Sequence, residues 1–193
     1  MSAGLVTAIV VLAVLAGFLW LTYNRLVAKR LATENSWSQI DVALRRRHDL
    51  IPALTETVRG YATHEQTTFQ NVAEARGAAV AEQQAPPPER AAVEGTLAHA
   101  VKGLMAVAED YPELQATRNF SQLQSDLADT ENQIQITRRV YNDTVETYNT
   151  LIGVFPALIV AKLFGFRRRE FFDAPPEAEA TPQVDLSATR DSR

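Results

Sequence analysis

"ENSWSQIDVALRRRHDLIPALTETV", Glu34 to Val58, is the stretch on which the fold turns. Its apolar and semi-apolar positions are Trp37, Ile40, Leu44, His48, Ile51, Thr55 and Val58, and the series continues through Ala62, Phe69 and Val72. Most steps are three or four residues, the spacing of one buried face of an α-helix. Ser36 with Gln39 three residues on has the form of a capping box, which predicts a helix start there. His48 falls on the stripe, whereas Arg45, Arg46 and Asp49 mostly leave it. Pro52 has no amide hydrogen, so the His48 carbonyl loses its i+4 donor and Ile51 is pushed away from helical angles. The expectation is a kinked joint in a long helix. Arg45-Arg46-Arg47 reads either as a phosphate grip or as a helix face that is solvated or paired with acids of the bundle.

Working outward toward the C-terminus, "EQQAPPPER" (Glu82 to Arg90) should end the second helix in extended or polyproline geometry. A third helix is expected from about Pro88 to Ala108, then a turn at Tyr111-Pro112. The last long helix should start near Leu114 and carry Phe120, Leu123, Leu127, Thr130, Ile134, Thr137, Tyr141, Tyr148 and Leu151, close to a heptad seam of the coiled-coil kind. Three or four long helices with short connections predict an all-α antiparallel bundle. Within the last helix, Tyr141-Asn142 and Tyr148-Asn149 recur one heptad apart. They read either as register- and partner-setting polar positions or as ordinary tyrosines with satisfied hydroxyls at a bundle end.

Working toward the N-terminus, Met1 to Asn24 carry no charged side chain, and "LVTAIVVLAVLAGFLWL" (Leu5 to Leu21) is nearly all apolar. Continued to Tyr23 as a helix this covers about 30 Å, the thickness of a hydrocarbon core, and Trp20 and Tyr23 sit where an interfacial aromatic belt would begin. A cleaved signal peptide is the competing reading. It lacks a basic n-region and would leave an apolar new terminus. The expectation is a retained transmembrane anchor over 1–24, a bundle over 25–173 and a disordered acidic tail over 174–193. Arg25, Lys29 and Arg30 follow the span directly, which by the positive-inside rule places the N-terminus outside and the bundle in the cytoplasm.

A second apolar segment, "LIGVFPALIVAKLFGF" (Leu151 to Phe166), is broken by Gly153, Pro156, Lys162 and Gly165, and so makes a poor span. Arg167, Arg168 and Arg169 follow it at once. It either caps the bundle core or lies at the bilayer surface, with Phe155, Phe164 and Phe166 inserted and the arginines on anionic headgroups.

The chemistry search is negative. With no cysteine, disulfides, thiolate metal sites, Cys nucleophiles and a lipidated N-terminal Cys are excluded. His64-Glu65 begins a zincin-like "HEQTT", but Thr68 stands where the second histidine should be. His48, His64 and His99 share no ligand spacing, and no Walker, Rossmann or G-x-S-x-G pattern occurs. His48-Asp49 is the remaining acid–base candidate, and His48 reads better as a structural residue of the buried stripe. A net charge of −4 gives no push toward nucleic acid. The expectation is no enzyme, no cofactor, no metal and no nucleic-acid partner.

Several segments together resemble the bacterial LemA family: "YNRLV", "ENSWSQIDVALRRRHDLIPALTETVRGYATHE", "YPELQATRNFSQLQSDLADTENQI", "RRVYNDTVETYNTLIGVFPALIVAKLFGF" and "REFFD". They run in family order over nearly everything from Tyr23 to Asp173, and the "APPPER" link and the acidic tail depart from the pattern. The resemblance implies a short outside N-terminus, one span, an antiparallel helical bundle and no established catalytic residues. A magnetosome-associated member implies membrane remodelling or biogenesis, and members encoded near membrane peptidases imply partners of that kind. Family members with lipoprotein signals place the bundle outside the cytoplasm, so the resemblance leaves the side open. The expected function is a single-pass scaffold in the bacterial inner membrane that contacts the lipid bilayer and self-associates. The alternative is a regulatory partner subunit of a membrane peptidase or transporter.

Overall fold

A computed structural model describes residues 2–173. These form α1 (Ala3–Arg59), α2 (Gln66–Ala81), α3 (Pro87–Glu109), the short α4 (Pro112–Gln115), α5 (Arg118–Gly153) and α6 (Ala157–Leu163), with no strand among the described residues. The all-α fold is as the sequence predicts. The acidic tail expected over 174–193 lies outside the described residues.

α1 is one helix of 57 residues, about 85 Å at 1.5 Å per residue. Its first turns are apolar and exposed throughout, from Leu5 to Leu21, and the remainder supplies Leu26, Ile40, Leu44, Ile51, Leu54 and Val58 to the core. The helix start expected at Ser36 is therefore corrected. The Ser36 hydroxyl turns back onto the Ala32 and Thr33 carbonyls (2.9 and 3.1 Å) and meets Thr144 Oγ1 across the helix pair at 2.8 Å. A small hydroxyl side chain can serve an intact helix this way as readily as it caps a new one.

Two further boundaries differ. Pro86 is the N-cap of α3, with Pro87 and Pro88 in its first turn, where a missing amide hydrogen is tolerated because those donors have no intrahelical partner anyway. The polyproline expectation holds for none of the chain beyond Pro86. The last long helix begins at Arg118 rather than near Leu114, which lies in α4. Thr117 accepts the Phe120 amide hydrogen at 3.3 Å and caps the new helix.

Antiparallel α1 and α5 form the spine, aligned by Thr57 with Asn119, Arg47 with Glu131 and Ser36 with Thr144. The α2–α3 hairpin packs on the distal half of this pair. Three apolar cores follow one another along the spine. The distal one joins Ile51, Leu54 and Val58 to Val72, Leu97, Leu104 and Phe120. The middle one joins Ile40 and Leu44 to Ile134, Tyr141, Val145 and Phe172. The third, nearest the apolar run, joins Leu26 to Tyr148, Ile152, Val160 and Ala161.

Candidate functional site

Three features use the residues singled out by sequence: a buried polar lock, a clamped C-terminal strap and an exposed apolar foot.

The lock lies between the distal and middle cores. Arg47, 2% exposed, pairs with Glu94 of α3, donates to the Glu94 carbonyl at 3.1 Å and reaches Glu131 of α5 at 3.1 Å. His48 Nε2 straddles the same Glu94 carboxylate, 3.0 Å from Oε1 and 3.2 Å from Oε2. Beside them Arg90 donates to Asp41 at 2.6 Å and lies over the Trp37 ring at 5.3 Å. Burial works to raise the Glu94 pKa, but the His48 hydrogen bond and the Arg47 charge outweigh it and hold the carboxyl below the usual glutamate range. The carboxylate is thus ionised, and every charge in the lock has an opposite.

The three arginines of the quoted stretch part company here. Arg45 pairs with Asp41 one turn back, Arg46 reaches Asp126 at 3.7 Å, and Arg47 is buried. All three face acids of the bundle, and Arg47 is out of reach of any phosphate in solution.

α1 runs through Pro52 without interruption, and Ile51 stays helical and buried. The carbonyl that Pro52 strips of its partner is put to use: Arg76 Nε of α2 donates to the His48 oxygen at 2.9 Å. Arg76, Arg90 and Glu94 therefore fasten the hairpin to α1 at three points, and the proline creates one of the acceptors. Arg76→Ala should lower stability by about 1–3 kcal/mol, because a part-buried carbonyl loses its charged donor. Chemical denaturation of the full chain measures this. An unchanged midpoint would show that the carbonyl finds another donor.

The heptad-spaced Tyr-Asn pairs hold the strap. After α6 the chain runs without helix or strand through 166–173, with a bend at Phe172, antiparallel to α5. Tyr148 donates its hydroxyl to the Arg167 carbonyl (3.0 Å), while the Asn149 amide donates to the Arg169 carbonyl (2.8 Å) and accepts the Arg169 N–H (2.9 Å). One heptad earlier, Tyr141 donates to the Glu170 carbonyl (2.9 Å) and Asn142 accepts the Phe172 N–H (2.9 Å). The same dipeptide grips the strap twice, three strap residues apart. The register closes because seven helical residues rise about 10.5 Å and three extended residues cover about 10 Å. Burial pushes both phenols up, against the nearby Arg169, so they remain donors. Phe172 seats the strap end, 5.6 Å from Trp37, and Arg169 pairs with Glu34 at 2.8 Å.

The foot is α6 with its flanking turns. Ala157, Val160 and Ala161 face the core, while Phe155, Ile159, Leu163 and Phe164 are exposed. Phe164 (tilted) and Phe166 (edge-on) pack against Tyr23 near the end of the apolar run, ring centroids 4.8 and 5.9 Å apart. Gly165, at φ 71°, ends α6, and the Phe166 N–H returns to the Ala161 carbonyl at 2.9 Å, the left-handed helix end that favours glycine. Arg167 and Arg168 are exposed beside it. The segment is thus half cap and half open surface: Ala157, Val160 and Ala161 cover the core as the capping expectation has it, and the other face is exposed.

Arg76, Arg90 and Glu94 were missed by sequence reasoning. Arg90 and Glu94 continue the buried α3 stripe of Leu97, Val101, Leu104 and Ala108 at helical spacing, and two charges on an apolar stripe were the available signal. Among the described residues no group of His, Asp and Glu could hold a metal ion.

The family model described as the LemA family matches residues 36–186. Two magnetosome proteins of Paramagnetospirillum magneticum, MamQ 1 and MamQ 2, are each 26% identical over 95% of this chain and 79% of their own length. Magnetosome protein MamQ of Magnetospirillum gryphiswaldense is 32% identical over 47% of this chain and 35% of its own.

Proposed function

The chain belongs to the LemA family, a membrane-associated helical protein, and from that premise we propose that it is a single-pass scaffold of the bacterial inner membrane that works by self-association. The carrying observation is that span and bundle are one helix. With no loop between Leu21 and Leu26, a bundle contact made by one copy fixes the position of its anchor, so pairing between bundles becomes organisation of the bilayer. The magnetosome proteins among its relatives support that reading.

Open hollows between α1 and α5 support pairing: one is lined by Ser38, Val42, Ala43, Arg46 and Gln133, another by Lys29, Ala32, Val140, Thr144 and Thr147. Val42 is 67% exposed and Val140 is 42% exposed, an apolar contact that each hollow offers to a second copy. The scaffold acts by contact, without catalysis. Arg25, Lys29 and Arg30 at the exit of the span support a cytoplasmic bundle.

Disulfide crosslinking tests this directly, since the chain has no native cysteine. Val42→Cys and Val140→Cys, oxidised in membranes, should give a dimer band, whereas Cys placed at exposed Tyr61 should not. Crosslinks made only to a different protein would favour a regulatory subunit instead.

A further inference from the structure

We propose that α6 and its flanking turns are a second membrane contact, an interfacial foot resting in the headgroup and upper acyl layer of the leaflet from which α1 emerges. The inference rests on α1 spanning a bilayer, as above.

Three observations place the foot at that depth. The antiparallel register of α1 and α5 puts Ile152 in one apolar core with Leu26, so α5 ends level with about Arg25, the first charge after the uncharged run. α6 then leaves α5 at 92°, crossing the exit of the span instead of continuing along it. Tyr23 itself carries Phe164 and Phe166 on its ring, tying the foot to the aromatic level of the span.

The chemistry of the surface matches that layer. Ile159 and Leu163, four residues apart in α6, lie opposite the core-facing Ala157, Val160 and Ala161, and Phe155 of the preceding turn and Leu163 are 78% and 70% exposed. Val154 and Phe164 are exposed beside them. From Val154 to Arg169 the chain carries Lys162, Arg167, Arg168 and Arg169 and no acid, with Arg25 and Lys29 of α1 at the same level. Arg169 is taken up by Glu34, which leaves Lys162, Arg167 and Arg168 to edge the apolar surface, the pattern of a helix lying in an anionic interface. A second copy of this basic foot would bring like charges together, which disfavours it as the occupant.

The test uses the full chain in vesicles of mixed phosphatidylcholine and phosphatidylglycerol, with a fluorescent label on single cysteines. Phe155→Cys and Leu163→Cys report on the foot. Val10→Cys reports on the span, and Tyr61→Cys, exposed just beyond the distal end of α1 at Arg59, reports on water. Labels at 155 and 163 should be quenched by nitroxide lipids at shallow depth, and aqueous iodide should quench them at least about fivefold less than at 61. Iodide reaching 155 and 163 as freely as 61, with Val10→Cys still quenched from the acyl region, would overturn the foot and leave the span standing. Shielding from iodide without quenching by nitroxide lipids would also overturn it, showing a protein cover. Loss of lipid quenching at Val10→Cys would overturn the spanning reading and the foot with it.

Discussion

Glu94→Ala should lower the unfolding free energy of the full chain in detergent by about 3–5 kcal/mol, the usual loss when one partner of a buried ion pair is removed. The substitution leaves the Arg47 guanidinium, 2% exposed, with only the half-exposed Glu131 opposite it, and leaves His48 without its acceptor. Glu94→Gln keeps an oxygen for the same donors and should fall between, losing about 1–3 kcal/mol. Glu56→Ala removes a carboxylate that pairs with Arg59 in full solvent and should change little. Equal losses for Glu94→Ala and Glu56→Ala would show that the lock contributes nothing. Replacing Arg47, His48 and Glu94 together by Met, Leu and Leu should recover much of the loss, since a fully apolar layer needs no desolvation of charge.

The same carboxylate sets an acid limb. Its proton is bound more weakly in the fold than in the unfolded chain, because His48 and Arg47 outweigh burial. The lock therefore contributes its full stabilisation above the ordinary glutamate range and loses it as pH falls through that range and below the depressed folded value. Stability of the parent chain should decline on acidification over that window, and Glu94→Gln should show a shallower decline.

Periodicity made the helices legible. The stripe from Trp37 to Val58, the proline break after Glu82 and the heptads of α5 each follow from local spacing, and the apolar run at the start needs only its length. Ser36 misled because the hydroxyl-x-x-Gln pattern is the same at a helix start and inside a helix whose hydroxyl folds back on its own carbonyls. The lock was half visible: His48 lay on the stripe, but its partner stands 46 positions away, and single-sequence spacing carries nothing about which α3 charge meets which α1 charge. The Tyr-Asn repeat was visible as a repeat. What it held was not, since 166–173 has no period of its own and takes its place through contacts with distant residues of α1 and α5.

That grip is the second large effect. Asn142→Ala together with Asn149→Ala should release the strap, and hydrogen exchange of the full chain in detergent reads it at the Arg169 and Phe172 amides. Those two N–H groups donate to the asparagine oxygens at 2.9 Å. Each substitution leaves a part-buried backbone group unpaired, about 1–3 kcal/mol apiece, and each 1.4 kcal/mol is about a tenfold fall in protection. Tyr148→Phe removes one bond to the Arg167 carbonyl and should act more weakly, by about 0.5–1.5 kcal/mol. Release should also loosen Phe172 from Trp37 and free Arg169 from Glu34, so the Trp37 emission should shift red as the ring meets water. Unchanged protection at both amides in the double variant would show that Phe172 packing and the Arg169–Glu34 pair hold the strap by themselves. Protection lost at Phe172 but kept at Arg169 would place the hold at the Tyr148-Asn149 end, nearest the foot.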